Sequence, residues 1–188
     1  MITIIDYGIG NLGSVANALD QLGAKYRISN NQKEISSSTG LILPGVGAAG
    51  TGMKNLKARQ LDQLLKQQIK FGKPFLGICL GMQLLFEYSE ENSTQCLGIL
   101  KGRVKKFTKE KKVPQIGWNS VTPNNKYFYF VNSYYCLPQD QSIITGTTEY
   151  GEKFASIVSK DNILGVQFHP EKSGPAGFKL LKKFTNLC

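Results

Sequence analysis

Pro74-Phe75-Leu76-Gly77-Ile78-Cys79-Leu80-Gly81 is the stretch on which the fold turns. Pro74–Cys79 reads as an apolar strand that runs into Gly81, with a helix expected over Met82–Tyr88. Within it, Gly77-Ile78-Cys79-Leu80-Gly81 is the nucleophile-elbow pattern G-x-S-x-G with cysteine in place of serine. Such an elbow holds its nucleophile in a strained strand-to-helix turn that only small flanking residues permit, which accounts for glycine on both sides. It also sets Cys79 at the positive end of the next helix, a setting that favours a thiolate. An apolar cysteine is ordinarily core filling. The punctuation around Cys79 makes it the candidate nucleophile.

Working outward, the first half of the chain alternates strand and helix. Met1–Asp6 is an apolar, β-branched run that ends in the glycine-rich turn Tyr7–Gly13. Ser14–Leu22 has Val15, Ala18, Leu19 and Leu22 at helical spacing, with Gly23 as its stop. Lys25–Ser29 and Leu41–Leu43 read as strands, and Met53–Phe71 as one long helix closed by Gly72. This alternation predicts a parallel sheet with helices on both faces. The second half predicts strands over 99–107, 113–121, 127–137, 143–148, 154–159 and 164–168, then a helix over 176–187. No linker divides the chain, so residues 1–188 are expected to form a single α/β domain: a parallel or mixed central sheet carrying an antiparallel extension.

His169 is the only histidine, so any histidine acid–base chemistry rests on it. It follows the last strand, in Phe168-His169-Pro170-Glu171, where Pro170 cannot continue a ladder. Residues two apart on an extended chain share a side, so Glu171 is expected to hold the far nitrogen of the ring. The order Cys79, His169, Glu171 then suggests a nucleophile, a base and its orienting carboxylate. Pro44-Gly45-Val46-Gly47 follows a neighbouring strand. The backbone N–H of Leu80 and one from the Gly45, Val46, Gly47 loop are the candidate oxyanion donors. Gly8-Ile9-Gly10-Asn11-Leu12-Gly13 matches a dinucleotide fingerprint, but Ser29-Asn30-Asn31 stands where an acidic residue is required. A tight turn, with Asn11 capping the following helix, is the better reading.

The remaining composition excludes several classes. Four cysteines (Cys79, Cys96, Cys136, Cys188) form no CxxC pair, and a lone histidine leaves no His-rich metal site. No metal and no cofactor are expected. No apolar run reaches membrane length and no signal peptide is visible at Met1–Asp6, so a soluble cytoplasmic protein is expected, with no membrane partner. The net charge is +10, and residues 101–112 hold seven basic residues against Glu110 alone. No nucleic-acid module accompanies them, so a solvated basic strand, or a surface for an acidic partner, is preferred over nucleic acid.

Taken together, Gly77-Ile78-Cys79-Leu80-Gly81-Met82-Gln83 and His169-Pro170-Glu171 resemble the class I (triad) glutamine amidotransferases, whose fold is flavodoxin-like. Asp6–Leu12, Pro44–Gly47, Gly117-Trp118-Asn119 and His169–Ser173 narrow the resemblance to the HisH-type glutaminase subunits of imidazole glycerol phosphate synthase. The resemblance covers nearly the whole chain. It implies hydrolysis of L-glutamine to L-glutamate and ammonia. The ammonia would be channelled to a HisF-type (β/α)8-barrel synthase subunit in a heterodimer, for histidine biosynthesis (imidazole glycerol phosphate and AICAR). It also implies that Gln83 and Asn132, Ser133 and Tyr134 border the glutamine pocket; the family commonly shows His where this chain has Asn132. Alternatives on the same fold are a paralogous subunit that supplies ammonia for amidination of a surface-polysaccharide sugar, a cysteine hydrolase or peptidase, and a non-catalytic binding protein. Peptidases of this fold usually carry His directly after the nucleophile, where Leu80 stands.

Overall fold

A computed structural model describes residues 1–110 and 112–188. Lys111, part of the basic window, lies outside the described residues. The first half runs β1 (Ile2–Ile5), α1 (Leu12–Gln21), β2 (Tyr26–Ser29), α2 (Gln32–Ser37), β3 (Gly40–Leu43), α3 (Ala49–Ala58), α4 (Leu61–Lys70), β4 (Phe75–Ile78) and α5 (Leu80–Gln83). The second half adds β5 (Tyr88–Ser89), β6 (Thr94–Gln95), β7 (Gly102–Lys106), β8 (Gln115–Val121), β9 (Lys126–Asn132) and β10 (Tyr134–Pro138). It ends with β11 (Ile144–Tyr150), β12 (Glu152–Lys160), β13 (Ile163–Val166) and α6 (Gly174–Thr185).

The main sheet has the order β2-β1-β3-β4-β13-β12-β10-β7-β5-β6, with β11 paired to β12. Its β2 to β13 side is parallel, and β12 turns it antiparallel. β8 and β9 form a separate antiparallel pair. Every residue of β1, β3 and β4 is buried. That is the signature of parallel strands covered on both faces, and it is why they appear as continuous apolar runs rather than alternating ones. The α/β fold with an antiparallel extension therefore matches the sequence reading.

Three expected elements come out differently. The helix over 53–71 is two helices, broken where Gln60 turns left-handed (φ 55°). Leu56 and Leu61 are both fully buried although five residues apart, a spacing one continuous helical stripe cannot keep; the break restores both to the core. The helix over 82–88 shrinks to the single turn of α5. Leu84, Leu85 and Phe86 are buried, and their carbonyls accept instead from Leu97, Leu100 and Gly98 N–H at 2.7–2.9 Å. The strand over 127–137 is interrupted at Ser133, so β9 leaves to pair with β8 while β10 enters the main sheet.

The basic window forms β7 and its flanks. Lys101 Nζ meets Glu87 Oε1 at 2.8 Å, and Lys106 N donates to Glu90 Oε2 at 3.0 Å. The acids that face it therefore come from the β5 side.

Candidate active site

In an open α/β sheet, sites gather at the carboxyl ends of the parallel strands. Three adjacent strands deliver the candidate residues there: Gly45–Gly47 follows β3, Cys79 follows β4, and His169 lies just beyond β13. The elbow is built sterically. A Cβ on Gly81 would sit 1.8 Å from Leu43 O, and one on Gly77 would sit 2.7 Å from Gly81 O. With those atoms absent, the chain folds back tightly enough for Cys79 to take φ 54° and ψ −110°, a strained conformation for a residue with a Cβ. Cys79 N donates to Val166 O at 2.7 Å, which locks the elbow to β13.

The same strand brings in the base. His169 N donates to Tyr129 O at 2.9 Å, and Ser173 Oγ donates to His169 O at 2.6 Å while accepting from Tyr129 N at 3.0 Å. The ring is thus hung between β9 and the start of α6. Its Nδ1 lies 2.8 Å from Glu171 Oε1, with both side chains buried. Glu171 reaches it from a single 3-10 turn over Pro170–Lys172 rather than from extended chain. Burial alone would lower the His169 pKa. Hydrogen bonds to Cys79 and Glu171 outweigh it and push the value up to about 10. With Nδ1 taken by Glu171, Nε2 is the nitrogen left for the Cys79 sulfur. Because α5 is one turn long, its dipole is small; the sulfur is met instead by the side chains of His169 and Gln167 and by the Val131 carbonyl.

These groups open on a cleft of about 290 Å³. Val46, Gly47, Leu80, Gln83, Asn132, Ser133 and Tyr134 line it beside Cys79 and His169, so the sequence-named residues converge there. Glu171 stands back from the cleft on Nδ1 of His169, and Gly45 is set apart from it too. Gly45 is buried under the loop, where a Cβ would lie 2.6 Å from Tyr7 Oη and 2.7 Å from Leu80 Cβ. The interruption at Ser133 is what points the Asn132–Tyr134 segment at the cleft. Asn132 Nδ2 donates to Tyr134 O at 3.0 Å, and its Oδ1 is buried without a partner.

Glu91 and Gln167 are among the site residues that escaped the sequence reading. Glu91 lines the cleft and accepts from Ala49 N at 2.7 Å, capping α3, whose own cap residue Ala48 has no side-chain acceptor. Gln167 is fully buried beside Cys79. Its position two residues before His169 was the available signal, since alternate residues of that strand face the elbow. Tyr7, whose Oη donates to Pro44 O at 2.7 Å, braces the β3 loop from below. Burial and the nearby Cys79 push its pKa up. The other thiols are set apart by burial, which carries Cys96 to about 12 and Cys136 well above the usual thiol range. Among the described residues, no group of three or more His, Cys, Asp or Glu could hold a metal, and no helix is long and apolar enough to cross a membrane.

The glutamine amidotransferase class-I family model matches residues 3–187. Among curated relatives, the imidazole glycerol phosphate synthase subunit HisH of Dehalococcoides mccartyi is 46% identical, over 100% of this chain and 98% of that one. The HisH subunit of Methanocaldococcus jannaschii is 47% identical over 100% of both. Among solved structures, a glutamine amidotransferase superposes with a TM-score of 0.82 at 17% identity, covering 99% of this chain and 97% of that one. PurLQS from Thermotoga maritima gives 0.73 at 18%, covering 98% and 97%. Elbow, ring and carboxylate stand on a fold shared with these structures, in a chain related end to end to HisH subunits: this chain belongs to the class-I glutamine amidotransferase family.

Proposed function

We propose that this chain is the glutaminase subunit of an imidazole glycerol phosphate synthase, acting in histidine biosynthesis: it hydrolyses L-glutamine and passes the ammonia to a HisF-type barrel subunit. The observation that carries the reading is the convergence of Cys79, His169 and Glu171 at the neighbouring carboxyl ends of β4 and β13. Full-length identity to HisH subunits favours the histidine pathway over the surface-sugar alternative.

In this reading Glu91 and Gln83 Oε1 are placed to hold the α-ammonium of glutamine, and the Asn132–Tyr134 segment borders the rest of the amino-acid end. The Cys79 thiolate attacks the side-chain amide carbon. The oxyanion that forms is met by Leu80 N–H, in the first turn of α5 where N–H groups lack intrahelical partners, and by an N–H of the Gly45–Gly47 loop. As the C–N bond breaks, His169 gives its proton to the departing ammonia and leaves a thioester. A water that surrenders a proton to His169 then attacks the thioester, releasing glutamate and restoring the thiolate. Glu171 keeps the ring oriented through both steps.

The synthase would dock on the exposed face of the β8–β9 pair, where Ile116, Trp118, Tyr127 and Val131 stand on one side and Val131 also borders the cleft. The four free thiols suit a reducing, cytoplasmic setting, and the continuous main sheet suits one domain over residues 1–188.

Steady-state glutaminase kinetics with and without the synthase subunit and its substrate test the reading. If docking turns a Gly45–Gly47 loop N–H onto the oxyanion, it should raise kcat by about 10²–10³-fold, the worth of one such donor, with a smaller change in KM. It should also shield Trp118, the only tryptophan, and alter its fluorescence. A chain that never hydrolyses glutamine with any synthase subunit would overturn the reading.

A further inference from the structure

Gln167 has no access to solvent, so its amide must find partners inside the protein. Both are part of the site. Its Oε1 accepts from Gln83 Nε2 at 3.1 Å, and its Nε2 donates to Cys79 Sγ at 3.7 Å. The orientation of both amides is forced. Gln83 Nε2 also donates to the backbone carbonyl of Tyr134 at 3.1 Å, and a carbonyl can only accept. Gln83 must therefore turn its NH₂ group towards Tyr134 and Gln167, which uses both hydrogens. Gln167 must answer with its oxygen and so present its own NH₂ to the sulfur. The opposite side of the segment that follows β13 is equally constrained. Phe168 stacks on Phe128 with ring centroids 4.0 Å apart, so Gln167 cannot rotate out of register without unpacking that side.

We propose that Gln167 is a further functional residue of the glutaminase, a fixed hydrogen-bond donor that holds the Cys79 thiolate in attacking position and couples it to Gln83. The proposal rests on reading Cys79 as the nucleophile. A thiolate accepts from Gln167 and His169 together. The neutral thiol can instead donate to Val131 O, 3.8 Å away on the opposite wall. The donor therefore favours the reactive form over the resting one. Sulfur loses its charge in the thioester and regains it when glutamate leaves, so the same bond raises the thiolate population before attack and stabilises the sulfur as leaving group afterwards. Because both hydrogens of Gln83 are engaged, its Oε1 is left to accept from substrate at the cleft wall.

Two variants separate the donor from mere packing. Gln167→Glu keeps the acceptor for Gln83 and loses the donor to sulfur; Gln167→Met fills the same space with neither. Iodoacetamide alkylation of Cys79, followed by mass spectrometry across pH in the complex with the synthase subunit, reads the thiolate without needing the glutamine pocket. Both variants should alkylate about 10–100-fold more slowly at neutral pH, the range for a hydrogen bond to a charged group, with the pH profile displaced upward. Glutaminase kcat should fall by a similar factor. KM should rise more in Gln167→Met, where Gln83 is released, than in Gln167→Glu. An unchanged alkylation profile in a folded variant would overturn the proposal. The wild-type protein gives an independent reading: the side-chain amide NMR signal of Gln167 should shift over the same pH range as the alkylation profile. A signal that stays still would also overturn it. Cys79→Ala distinguishes the parent reading, since glutaminase activity surviving in that variant would refute the nucleophile itself, whatever Gln167 does.

Discussion

The turn after β1, Gly8-Ile9-Gly10-Asn11-Leu12-Gly13, and the turn after β4, Gly77-Ile78-Cys79-Leu80-Gly81, look alike in sequence: strand, glycines, helix. They spend their glycines in opposite ways. In the first, Gly8 and Gly10 carry the positive φ angles themselves, 82° and 118°, so the backbone is relaxed. Asn11 then caps α1 by accepting from Ser14 N at 3.1 Å. In the second, Gly77 and Gly81 are absent from the positive-φ positions and serve only by lacking a Cβ, while Cys79 bears the left-handed strain. The first turn is a connection. The second stores strain at the residue that must project its side chain, and strain placed on a non-glycine residue marks function.

The largest break in this comparison is Cys79→Ala. Glutamine hydrolysis should fall by at least about 10⁴-fold, as for a lost nucleophile, while the synthase reaction driven by added ammonium salt persists. Parallel assays with glutamine and with ammonium check it. Next comes the pair that serves the elbow. Glu171→Gln should cost less activity than His169→Ala, about 10²–10⁴-fold, and the double variant should show no additive loss. The pair also carries a pH signature. His169 has its folded pKa raised to about 10 from 6.5. Its contribution to stability is therefore complete below about pH 6.5 and is lost as pH rises through about 10. Denaturant titrations should show unfolding free energy declining over that window, and declining less in Glu171→Gln.

Smaller effects sharpen the contrast between the two kinds of glycine. Gly81→Ala, with its Cβ driven into Leu43 O, should lose at least about 3 kcal/mol or fail to fold. Gly10→Ala meets nothing closer than 3.5 Å, so it should lose only the backbone strain of about 1–3 kcal/mol. Thermal and denaturant unfolding would compare them. At position 79 the usual order of helix- and strand-friendly residues should invert, with Cys79→Gly more stable than Cys79→Ala by about 1–2 kcal/mol, because only glycine relaxes there. Smallest is Asn11→Ala, which should cost about 1 kcal/mol through the lost cap and leave glutaminase activity intact.

Local pattern and tertiary placement divide the site cleanly. The elbow was legible because strand, glycines and cysteine are contiguous, and His169 with Glu171 because they are two residues apart. Gln167 and Glu91 were not. Gln167 is an ordinary polar residue just after β13 until Gln83 and Cys79 arrive from 84 and 88 positions away. Glu91 acquires its role only by reaching across to the N-terminus of α3. The break at Gln60 and the interruption at Ser133 were also missed, since no proline or glycine marks either and only the core decides which register is buried.

By itself the sequence determined the alternation of buried strands and amphipathic helices, the elbow with its candidate nucleophile, and the only histidine that could serve as a base. These follow from periodicity, glycine placement and side-chain chemistry, all short-range properties. Only the tertiary structure decided that β4 and β13 lie side by side, although 84 residues lie between Ile78 and Ile163. It also decided that the chain passes at Ser133 from the β8–β9 pair into the main sheet and so walls the cleft, and that the Gln167 amide points its hydrogens at sulfur. Those outcomes rest on long-range strand pairing and on the satisfaction of buried polar groups, whose partners no local window contains.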